Sequence, residues 1–487
     1  MTTKRICLLL SLLLCLSILP VSGMAAEGVK LTLFREGQGM PAPEDDVILP
    51  GIKEALGVDV DWTVVSSEYD TQLNVRLAGG NVPDIFQVSY TMVPTYAAQG
   101  LLLDIEPYLD QMPHFKAAYS EDDLAKCYYD GGMYVIASRP YIPYADYSIR
   151  VDWLEALGMK APTNLDELHD VLYAFTYQDP DGNGVQDTYG LTGKGLAAFD
   201  FIFAAYGTTS PKNFLIRDGK LIYSSIDENA REAITYIRTL VEEGVVDPEI
   251  MTNSSMEHRD KAIAGTAGIL ACTFWDIFKA TYMDQALAIN PNAKWEILMG
   301  IEGPGGKYDD VYDAASAPGY FAINAELADQ PERLAKVLEL FDYLCNEVTG
   351  QRLAMFGLQG IHYELDEKGD VKPLPELSNL TYSFNYLLCG RDDLPYLIAK
   401  FDYLKGQIDQ CGEMVKLPIY NSMVTEPVGV IVSDIDRYAE EEVTKFIYGE
   451  QPMDKWSTYV DTMYSTFNLQ AYLDKAVSDL QTAGFLE

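Results

Sequence analysis

Apolar and polar residues recur along this chain with two alternating periods, which mark strands and helices in turn. The N-terminal part predicts strands at Lys30–Phe34, Val58–Val65 and Pro83–Val88, and helices at Asp46–Leu56, Tyr69–Ala78 and Pro94–Gln99. The pair Gly79-Gly80 closes the second of these helices. Strands that alternate with helices in this order indicate an α/β fold with a mainly parallel sheet.

A second region with the same alternation begins near Tyr141. Its clearest helix has a predicted N-cap at Thr163, and its apolar face repeats at Leu165, Leu168, Leu172 and Phe175. Later segments predict helices at Asn229–Glu243 and Ala328–Asn346, strands at Gly268–Thr273 and Pro318–Asn324, and a mostly helical tail from Asp434 to Phe485. The length and the repeated alternation indicate two or more domains.

The helix that follows Thr163 leads directly into a loop with the spacing of an EF-hand-type calcium site. Side-chain oxygens occupy positions 1, 3, 5 and 9 of this loop, at Asp179, Asp181, Asn183 and Asp187. Gly184 provides the sharp turn at position 6, and Val185 would contribute its backbone carbonyl at position 7. Position 12 is Gly190 rather than a bidentate glutamate. The pattern therefore predicts a structural calcium site rather than a calcium switch.

The N-terminus has the pattern of a secretory signal peptide. Lys4 and Arg5 precede the apolar run Ile6–Val21, which is followed by small residues. The prediction is a signal peptide at 1–26, cleaved after Ala25 or Ala26. Lipidation at Cys15 is disfavoured because the residue before it is a leucine. We therefore expect an exported protein that is extracellular, cell-surface-associated or periplasmic and not inserted in the membrane.

The net charge of the chain limits the kinds of partner that it can bind. The chain has 73 acidic and 35 basic residues, for a net charge of −38. This excludes generic nucleic-acid binding, which needs a basic surface, and argues against binding to anionic membranes. Beyond the leader, the cysteines Cys127, Cys272, Cys345, Cys389 and Cys411 are scattered. Their spacing indicates neither a zinc site nor a disulfide framework.

Sequence signatures of catalysis are weak. GxSxG and HExxH are absent from the sequence, and His258-Arg259-Asp260 lacks the glycine-rich loop and the lysine strand of a kinase. The loop Gly303–Lys307 lacks the first glycine of a phosphate-binding loop. A pair of carboxylates is inevitable among so many acids, so a secreted glycoside hydrolase stays an alternative without specific support. We expect a protein that is not an enzyme.

A series of short motifs in fixed order resembles one protein family. The motifs are Gly79-Gly80-Asn81-Val82-Pro83-Asp84-Ile85, Gly100-Leu101-Leu102, Asp130-Gly131-Gly132-Met133-Tyr134-Val135, Ile149–Gly158, Pro162–Leu168, the calcium loop and Phe356–Tyr363. Together they resemble the extracellular solute-binding proteins of bacterial ABC importers. The resemblance is to the sugar-binding and oligosaccharide-binding group, and the chain is similar to calcium-bearing alginate-oligosaccharide-binding proteins.

The resemblance implies a two-lobe periplasmic-binding-protein-like α/β fold with a hinge and a ligand cleft between the lobes. It implies a first lobe at 27–140 plus about 318–365 and a second lobe at 141–317 plus about 366–487, with crossings at Pro140–Arg150 and Ala317–Asn324. The expected partners are a carbohydrate and the transmembrane permease subunits of an ABC importer, and the expected state is a monomer. The family's calcium positions match Asp179, Asp181, Asn183, Val185 and Asp187, with Thr188 where relatives often carry another acid.

Sugar binding requires aromatic rings that stack on pyranose faces and polar groups that hydrogen-bond to hydroxyls. The loops at the strand ends that face the cleft are the expected places for such residues. The predicted ligand-binding residues are Arg35, Glu36, Gln38, Ser89, Tyr90, Tyr141, Tyr144, Trp275, Asp276, Tyr320 and Tyr363, with His362 beside the last. We assign Trp62 and Trp153 to packing.

The charge of the cargo depends on which arginines reach the cleft. A uronate sugar would need Arg35, Arg139 or Arg150 there, because guanidinium binds carboxylate as a bidentate fork. The acidic surface provides no steering for such a ligand, which favours a neutral oligosaccharide. A peptide-binding ABC receptor stays an alternative, because aromatic clefts also bind peptides.

Overall fold

The computed structural model describes residues 28–142, 144–254 and 256–486. The predicted signal peptide therefore lies outside the described residues. Within these ranges, no helix combines the length and apolarity needed to cross a bilayer.

Strands and helices alternate along most of the described chain. The strands are β1 (Lys30–Glu36), β2 (Asp59–Val65), β3 (Ile85–Val88), β4 (Tyr128–Tyr129), β5 (Gly132–Met133), β6 (Ile136–Ala137), β7 (Tyr147–Arg150), β8 (Tyr189–Thr192), β9 (Phe214–Arg217), β10 (Lys220–Tyr223), β11 (Ala267–Ala271), β12 (Trp295–Ile297), β13 (Ile301–Gly303), β14 (Gly306–Tyr308), β15 (Asp310–Asp313), β16 (Tyr320–Ile323), β17 (Tyr363–Leu365), β18 (Val371–Pro373) and β19 (Lys416–Ile419). The α-helices are α1 (Ile48–Leu56), α2 (Tyr69–Ala78), α3 (Val93–Ala98), α4 (Pro113–Ala118), α5 (Glu121–Ala125), α6 (Val151–Leu157), α7 (Leu165–Tyr177), α8 (Asp200–Ala205), α9 (Glu228–Glu242), α10 (Glu257–Ala264), α11 (Trp275–Phe278), α12 (Ala280–Ile289), α13 (Pro331–Cys345), α14 (Gly350–Phe356), α15 (Asp393–Lys400), α16 (Lys405–Gly412), α17 (Val432–Ile447), α18 (Trp456–Phe467) and α19 (Leu469–Thr482).

The first lobe is built on a five-stranded sheet with the order β2-β1-β3-β16-β6. Strand β1 pairs in parallel with β2 and β3, as the alternation of strands and helices predicts. Strand β16 runs antiparallel to both β3 and β6, so the sheet is mixed rather than mainly parallel. The apolar side chains of β1 and β3 are buried, which is typical of strands covered on both faces.

The second lobe is built on a four-stranded sheet with the order β12-β7-β11-β8. Strands β8 and β11 are parallel, and β7 runs antiparallel to β11 and β12. The chain passes from the first sheet to the second between β6 and β7, and it returns to the first sheet at β16. The chain therefore crosses between the sheets within residues 138–146 and again before β16.

The segment 380–390, which the prediction places in the second lobe, contacts residues of the first. The ring of Tyr386 lies 4.6 Å from that of Trp62, and its hydroxyl donates to Asp46. Asn385 Nδ2 donates to the backbone carbonyl of Gln38 at 2.8 Å. This segment has no helical or strand period from which its partner could be predicted, and its aromatic side chains fill space beside Trp62.

The N-terminus of α7 differs from the prediction by one residue. Asn164 is the N-cap, and its side-chain oxygen accepts from the backbone N–H of Glu167 at 3.0 Å. Thr163 instead donates to the Glu167 carboxylate through its backbone N–H and its hydroxyl, both at 2.8 Å. Both residues suit an N-cap, and Asn164 takes that position because its side chain caps Glu167 while the Glu167 carboxylate binds the preceding Thr163.

Candidate ligand-binding cleft and calcium loop

Two adjoining cavities lie where the crossing segments meet. One has a volume of about 330 Å³ and the other about 800 Å³, and both are lined by Tyr141 and Pro318. The smaller is also lined by Arg35, Glu36, Gln87, Ser138, Phe321, Phe384 and Leu387. The larger is also lined by Pro140, Ile142, Tyr144, Asp146, Val311, Tyr312, Asp313, Ser316, Met414, Val415 and Lys416. We call the two cavities together the cleft.

Tyr141 is the aromatic side chain that the two cavities share. It is 41% exposed, and the guanidinium carbon of Arg391 lies 4.8 Å from the centre of its ring. Arg391 in turn donates from Nε to Asp393 Oδ1 at 2.6 Å, and it lies 3.9 Å from the Tyr396 ring. A cation held in this way attracts the π-face of the tyrosine. The contact with Arg391 therefore holds the Tyr141 ring in place where it lines the cleft.

The backbone before Tyr141 is fixed by the segment that follows Leu387. The Ser138 hydroxyl donates to the Leu388 carbonyl at 2.6 Å, and the Arg139 N–H donates to the Cys389 carbonyl at 3.1 Å. Gly390 has a φ of +72°, and a Cβ there would lie 2.5 Å from the Arg139 carbonyl oxygen. Glycine is required because a side chain would collide with this backbone.

The Asp393 carboxylate that pairs with Arg391 also positions Tyr144. Its hydroxyl donates to Asp393 Oδ2 at 3.1 Å, and the Ile142 N–H donates to the same oxygen at 3.2 Å. Asp393 is only 3% exposed. One buried carboxylate thus positions the backbone and a side chain of the first crossing segment.

Arg35 is the penultimate residue of strand β1 and lines the smaller cavity. It donates from Nη1 to the Asn385 carbonyl and from Nε to the Glu36 carbonyl, both at 2.9 Å. Burial is the main influence on this group and lowers the pKa of Arg35 to about 10, so it remains a cation at neutral pH. Glu36 is exposed beside it and lines the same cavity.

Trp275 lies in an aromatic cluster rather than on the cleft lining. Its ring lies 4.0 Å from Phe274, 5.0 Å from Phe401 and 5.7 Å from Tyr144, and the residue is half-buried. Asp276 accepts from the Thr273 hydroxyl at 2.6 Å. The aromatic residue that follows β11 therefore packs on a helix end that lies far along the chain.

The remaining predicted ligand residues do not line either cavity. Tyr90 and Tyr320 are buried with ring centres 5.4 Å apart, and their hydroxyls donate to the carbonyls of Tyr128 and Ala315. These residues, with Gln38, Ser89 and Tyr363, stay predictions as ligand contacts. Arg150 donates to Asp152 at 2.6 Å, and Arg139 Nε donates to the Cys389 carbonyl at 3.4 Å.

Sequence reasoning missed a buried charged cluster at the larger cavity. Lys416 Nζ lies 2.9 Å from Asp146 Oδ2 and 3.6 Å from Asp310 Oδ2. The side chains of Lys416 and Asp310 are 4% and 7% exposed, whereas that of Asp146 is 34% exposed. Asp310 and Lys416 are register partners on the parallel strands β15 and β19. No sequence spacing indicates this pairing, because it depends on two strands distant in the chain.

The cluster holds two carboxyl groups against one lysine. Burial and the neighbouring Asp146 carboxyl hold the pKa of Asp310 well above its usual range, and Lys416 opposes this only in part. Burial alone would lower the pKa of Lys416, but Asp146 and Asp310 raise it above its ordinary value. Lys416 is therefore charged, and the raised pKa of Asp310 favours its protonated form.

The calcium loop brings its acidic side chains together. Gly184 N–H donates to Asp179 Oδ2 at 3.1 Å, and Asn183 Nδ2 donates to Asp181 Oδ2 at 2.7 Å and to Asp187 Oδ1 at 3.3 Å. Partial burial raises the pKa of Asp181, and the nearby carboxylates of Asp179 and Asp187 raise it further. Among the described residues, no group of three or more His, Cys, Asp or Glu side chains has the arrangement of a metal site.

Two other predicted members of the calcium set have defined places. The Thr188 hydroxyl is buried and donates to the Phe175 carbonyl at 2.7 Å, so it ties the loop to the end of α7. The Val185 N–H donates to Asn183 Oδ1 at 2.6 Å. The donor chemistry of the loop suits calcium, but its oxygens now bond within the loop.

The raised pKa of Asp310 makes a testable prediction for Asp310→Asn. An unfolded aspartate titrates near pH 4, whereas folded Asp310 titrates at a higher pH, so wild-type stability falls as pH rises between these two values. The asparagine variant stays neutral and escapes this loss. The melting temperature of the variant minus that of wild type should therefore increase as pH rises from about 4 to about 8.

The exposed variant Asp461→Asn is the control and should show a pH-independent difference from wild type. A difference for Asp310→Asn that is the same at both ends of the range would contradict the raised pKa of Asp310.

Comparison with known proteins places this geometry in a family. The family model for bacterial extracellular solute-binding protein matches residues 45–347, which is more than half of the chain. The Bacillus subtilis (strain 168) lipoprotein LipO is 26% identical over 414 residues, covering 81% of this chain and 80% of LipO. The fructooligosaccharide ABC transporter substrate-binding protein FusA of Streptococcus pneumoniae serotype 4 is 27% identical over 289 residues, or 54% of this chain and 51% of FusA.

Solved structures show the same fold over nearly the whole chain. FusA in complex with kestose has a TM-score of 0.63 at 21% identity and covers 94% of this chain and 99% of its own. An EF-hand mutant of FusA has also been solved, in complex with fructo-nystose. Alginate-binding protein AlgQ2, solved without calcium ion, has a TM-score of 0.63 at 18% identity and covers 94% and 98% of the two chains. The chain belongs to the bacterial extracellular solute-binding protein family, and its fold is the two-lobe fold of that family.

Proposed function

We propose that this chain is the extracellular solute-binding component of an ABC importer, and that it captures an oligosaccharide and delivers it to the membrane permease. The observation that carries the proposal is the cleft where the crossing segments meet, with the exposed ring of Tyr141 shared by both of its cavities. An exposed aromatic ring next to polar groups such as Glu36 and Ser138 suits a sugar, which is apolar on its faces and polar at its rim.

The relatives support a carbohydrate cargo. FusA is named for fructooligosaccharides and has been solved with kestose, and AlgQ2 is named for alginate. The proposed protein is exported and monomeric, with the permease subunits as its partners. Its lobes would follow the predicted boundaries, except that segment 380–390 belongs with the first lobe.

The proposed mechanism is closure of the two lobes about the crossing segments. Arg35 lies near the end of strand β1 in the first sheet. Lys416 lies on strand β19, which pairs with β15 in a separate two-stranded sheet. A ligand on Tyr141 that reaches both ends of the cleft would make its full set of contacts only in the closed form. Differential contacts of this kind shift the population towards closure.

The carboxyl pair in the cleft does not favour hydrolysis. Retaining glycosidases hold their two carboxyl groups about 5 Å apart, and inverting enzymes hold them further apart to admit a water. Asp146 lines the larger cavity, but the side chain of Asp310 is only 7% exposed and lines neither cavity. A substrate in the cleft could therefore not contact both carboxyl groups, so a binding role fits this geometry better.

A ligand screen by thermal unfolding tests the proposed function. Oligosaccharides and a peptide pool are added separately to the mature protein, and a true ligand raises the melting temperature because it binds only the folded state. We expect a rise with at least one glycan class and none with peptides. A rise with peptides alone would contradict the proposal.

We further propose that the loop 179–187 binds a structural calcium ion. The three carboxylates of Asp179, Asp181 and Asp187, the Asn183 side-chain oxygen and the Val185 carbonyl would supply the ligands. Burial is the main cause of the raised pKa of Asp181, and a bound cation would offset the further rise that the carboxylates of Asp179 and Asp187 add. Calcium would require Asn183 to turn its oxygen towards the ion, because its amide nitrogen now faces two carboxylates. It would fasten the end of α7 to the start of β8.

Calcium should therefore raise the melting temperature of the metal-stripped protein. At a calcium concentration one hundred times its dissociation constant, the free energy of unfolding should increase by about 3 kcal/mol. The variant Asp179→Asn should lose most of this gain. The control is Asp218→Asn, because both aspartates lie in loops with φ near +50°. Differential scanning calorimetry with and without calcium measures the effect. Equal calcium gains in both variants would contradict the site.

A further inference from the structure

The charges on the cleft lining are few and lean towards acidity. Among the described lining residues, the cations are Arg35 and Lys416, and the anions are Glu36, Asp146 and Asp313. The Arg391 guanidinium beneath Tyr141 is paired with buried Asp393. The net charge of the cleft lining is therefore negative, as is that of the whole chain. A ligand carboxylate would enter a surface of like charge.

Arg35 has much of its guanidinium committed to the backbone. A side-on fork for a carboxylate uses Nε with Nη2, and an end-on fork uses Nη1 with Nη2. Nε already donates to the Glu36 carbonyl, and one of the two N–H groups of Nη1 already donates to the Asn385 carbonyl. A side-on fork would therefore require breaking a backbone hydrogen bond, and only the end-on fork remains for a ligand carboxylate.

Lys416 is also committed to protein carboxylates. It lies between Asp146 and Asp310, and its side chain is only 4% exposed. A ligand carboxylate would have to displace Asp146 from the lysine, which would leave that carboxylate unpaired. An unpaired desolvated charge is costly, so this cluster disfavours an anionic ligand.

The same cluster suits an uncharged hydroxyl group. Asp146 is partly exposed at the cavity and accepts hydrogen bonds, and the adjacent Lys416 ammonium has three donors. A sugar hydroxyl both donates and accepts, so it can bond to both groups without breaking their ion pair. The raised pKa of buried Asp310 favours its uncharged form, which limits the negative charge beside this pair.

We propose that the cargo is an uncharged, hydroxyl-rich glycan, which stacks on Tyr141 and hydrogen-bonds to the Asp146–Lys416 pair. This rests on the proposed function and specifies its substrate class. The shared lining places Tyr141 in both cavities, so one glycan chain extends from the Arg35 end to the Lys416 end.

Isothermal titration calorimetry with length-matched tetrasaccharides tests the substrate class. One set consists of neutral hexose chains, such as fructans, glucans and mannans, and the other consists of the corresponding uronate chains. We expect binding only within the neutral set. A uronate chain that binds more tightly than every neutral chain would overturn the inference while leaving carbohydrate capture intact. Failure of every chain in both sets would overturn both the inference and the proposed function.

Variants test the two contacts with the neutral glycan that binds best. Tyr141→Ala should weaken its binding about tenfold, as expected for an exposed aromatic anchor, while Tyr141→Phe keeps the ring and its affinity. Asp146→Asn should also weaken binding about tenfold, because it removes the charged acceptor. The controls are Tyr464→Ala, at a residue 39% exposed on α18, and Asp461→Asn on the same helix.

Each variant is first shown to be folded by its melting temperature and circular dichroism spectrum. Wild-type affinity in folded Tyr141→Ala and Asp146→Asn would overturn the assignment of these contacts. An equal loss in the two controls would do the same, since it would show that the effect does not depend on the cleft.

Discussion

The close approach of two backbone segments at Gly390 is the constraint on which the cleft depends. Its left-handed φ and missing side chain let the Arg139 backbone pass within a distance that any Cβ would block. Hydrogen bonds from Ser138 and Arg139 to the carbonyls of Leu388 and Cys389 then fix the start of the first crossing segment. The position of Tyr141 follows directly from that backbone.

Paired charges complete this arrangement and set its chemical character. Arg391 and Asp393 neutralise each other beneath the crossing segment, and Lys416 is neutralised by its two aspartates at the other end of the cleft. Buried ion pairs contribute little net stability but strongly penalise any arrangement that separates them. They therefore define a cleft whose charges are already satisfied, and hydroxyl groups are the ligand groups that such a surface accepts most readily.

Local sequence signals predicted local features well. The helix at Tyr69–Ala78 has the predicted bounds, and Arg35 and Tyr141 line the cleft as their places at a strand end and a crossing indicated. Features that depend on distant chain segments could not be predicted. Trp275 stays a predicted ligand contact, but Phe401 packs on its ring, and neither its spacing nor its neighbours in the sequence reveal that partner. The pairing of Lys416 with Asp146 escaped prediction for the same reason.

Small-angle X-ray scattering of the mature protein, with and without a glycan that raises its melting temperature, tests lobe closure most directly. The account predicts a smaller radius of gyration with ligand, because the glycan holds the two lobes together over the cleft. The variant Tyr141→Ala at the same glycan concentration should show less compaction. An unchanged radius of gyration in wild type saturated with ligand would contradict closure about the crossing segments.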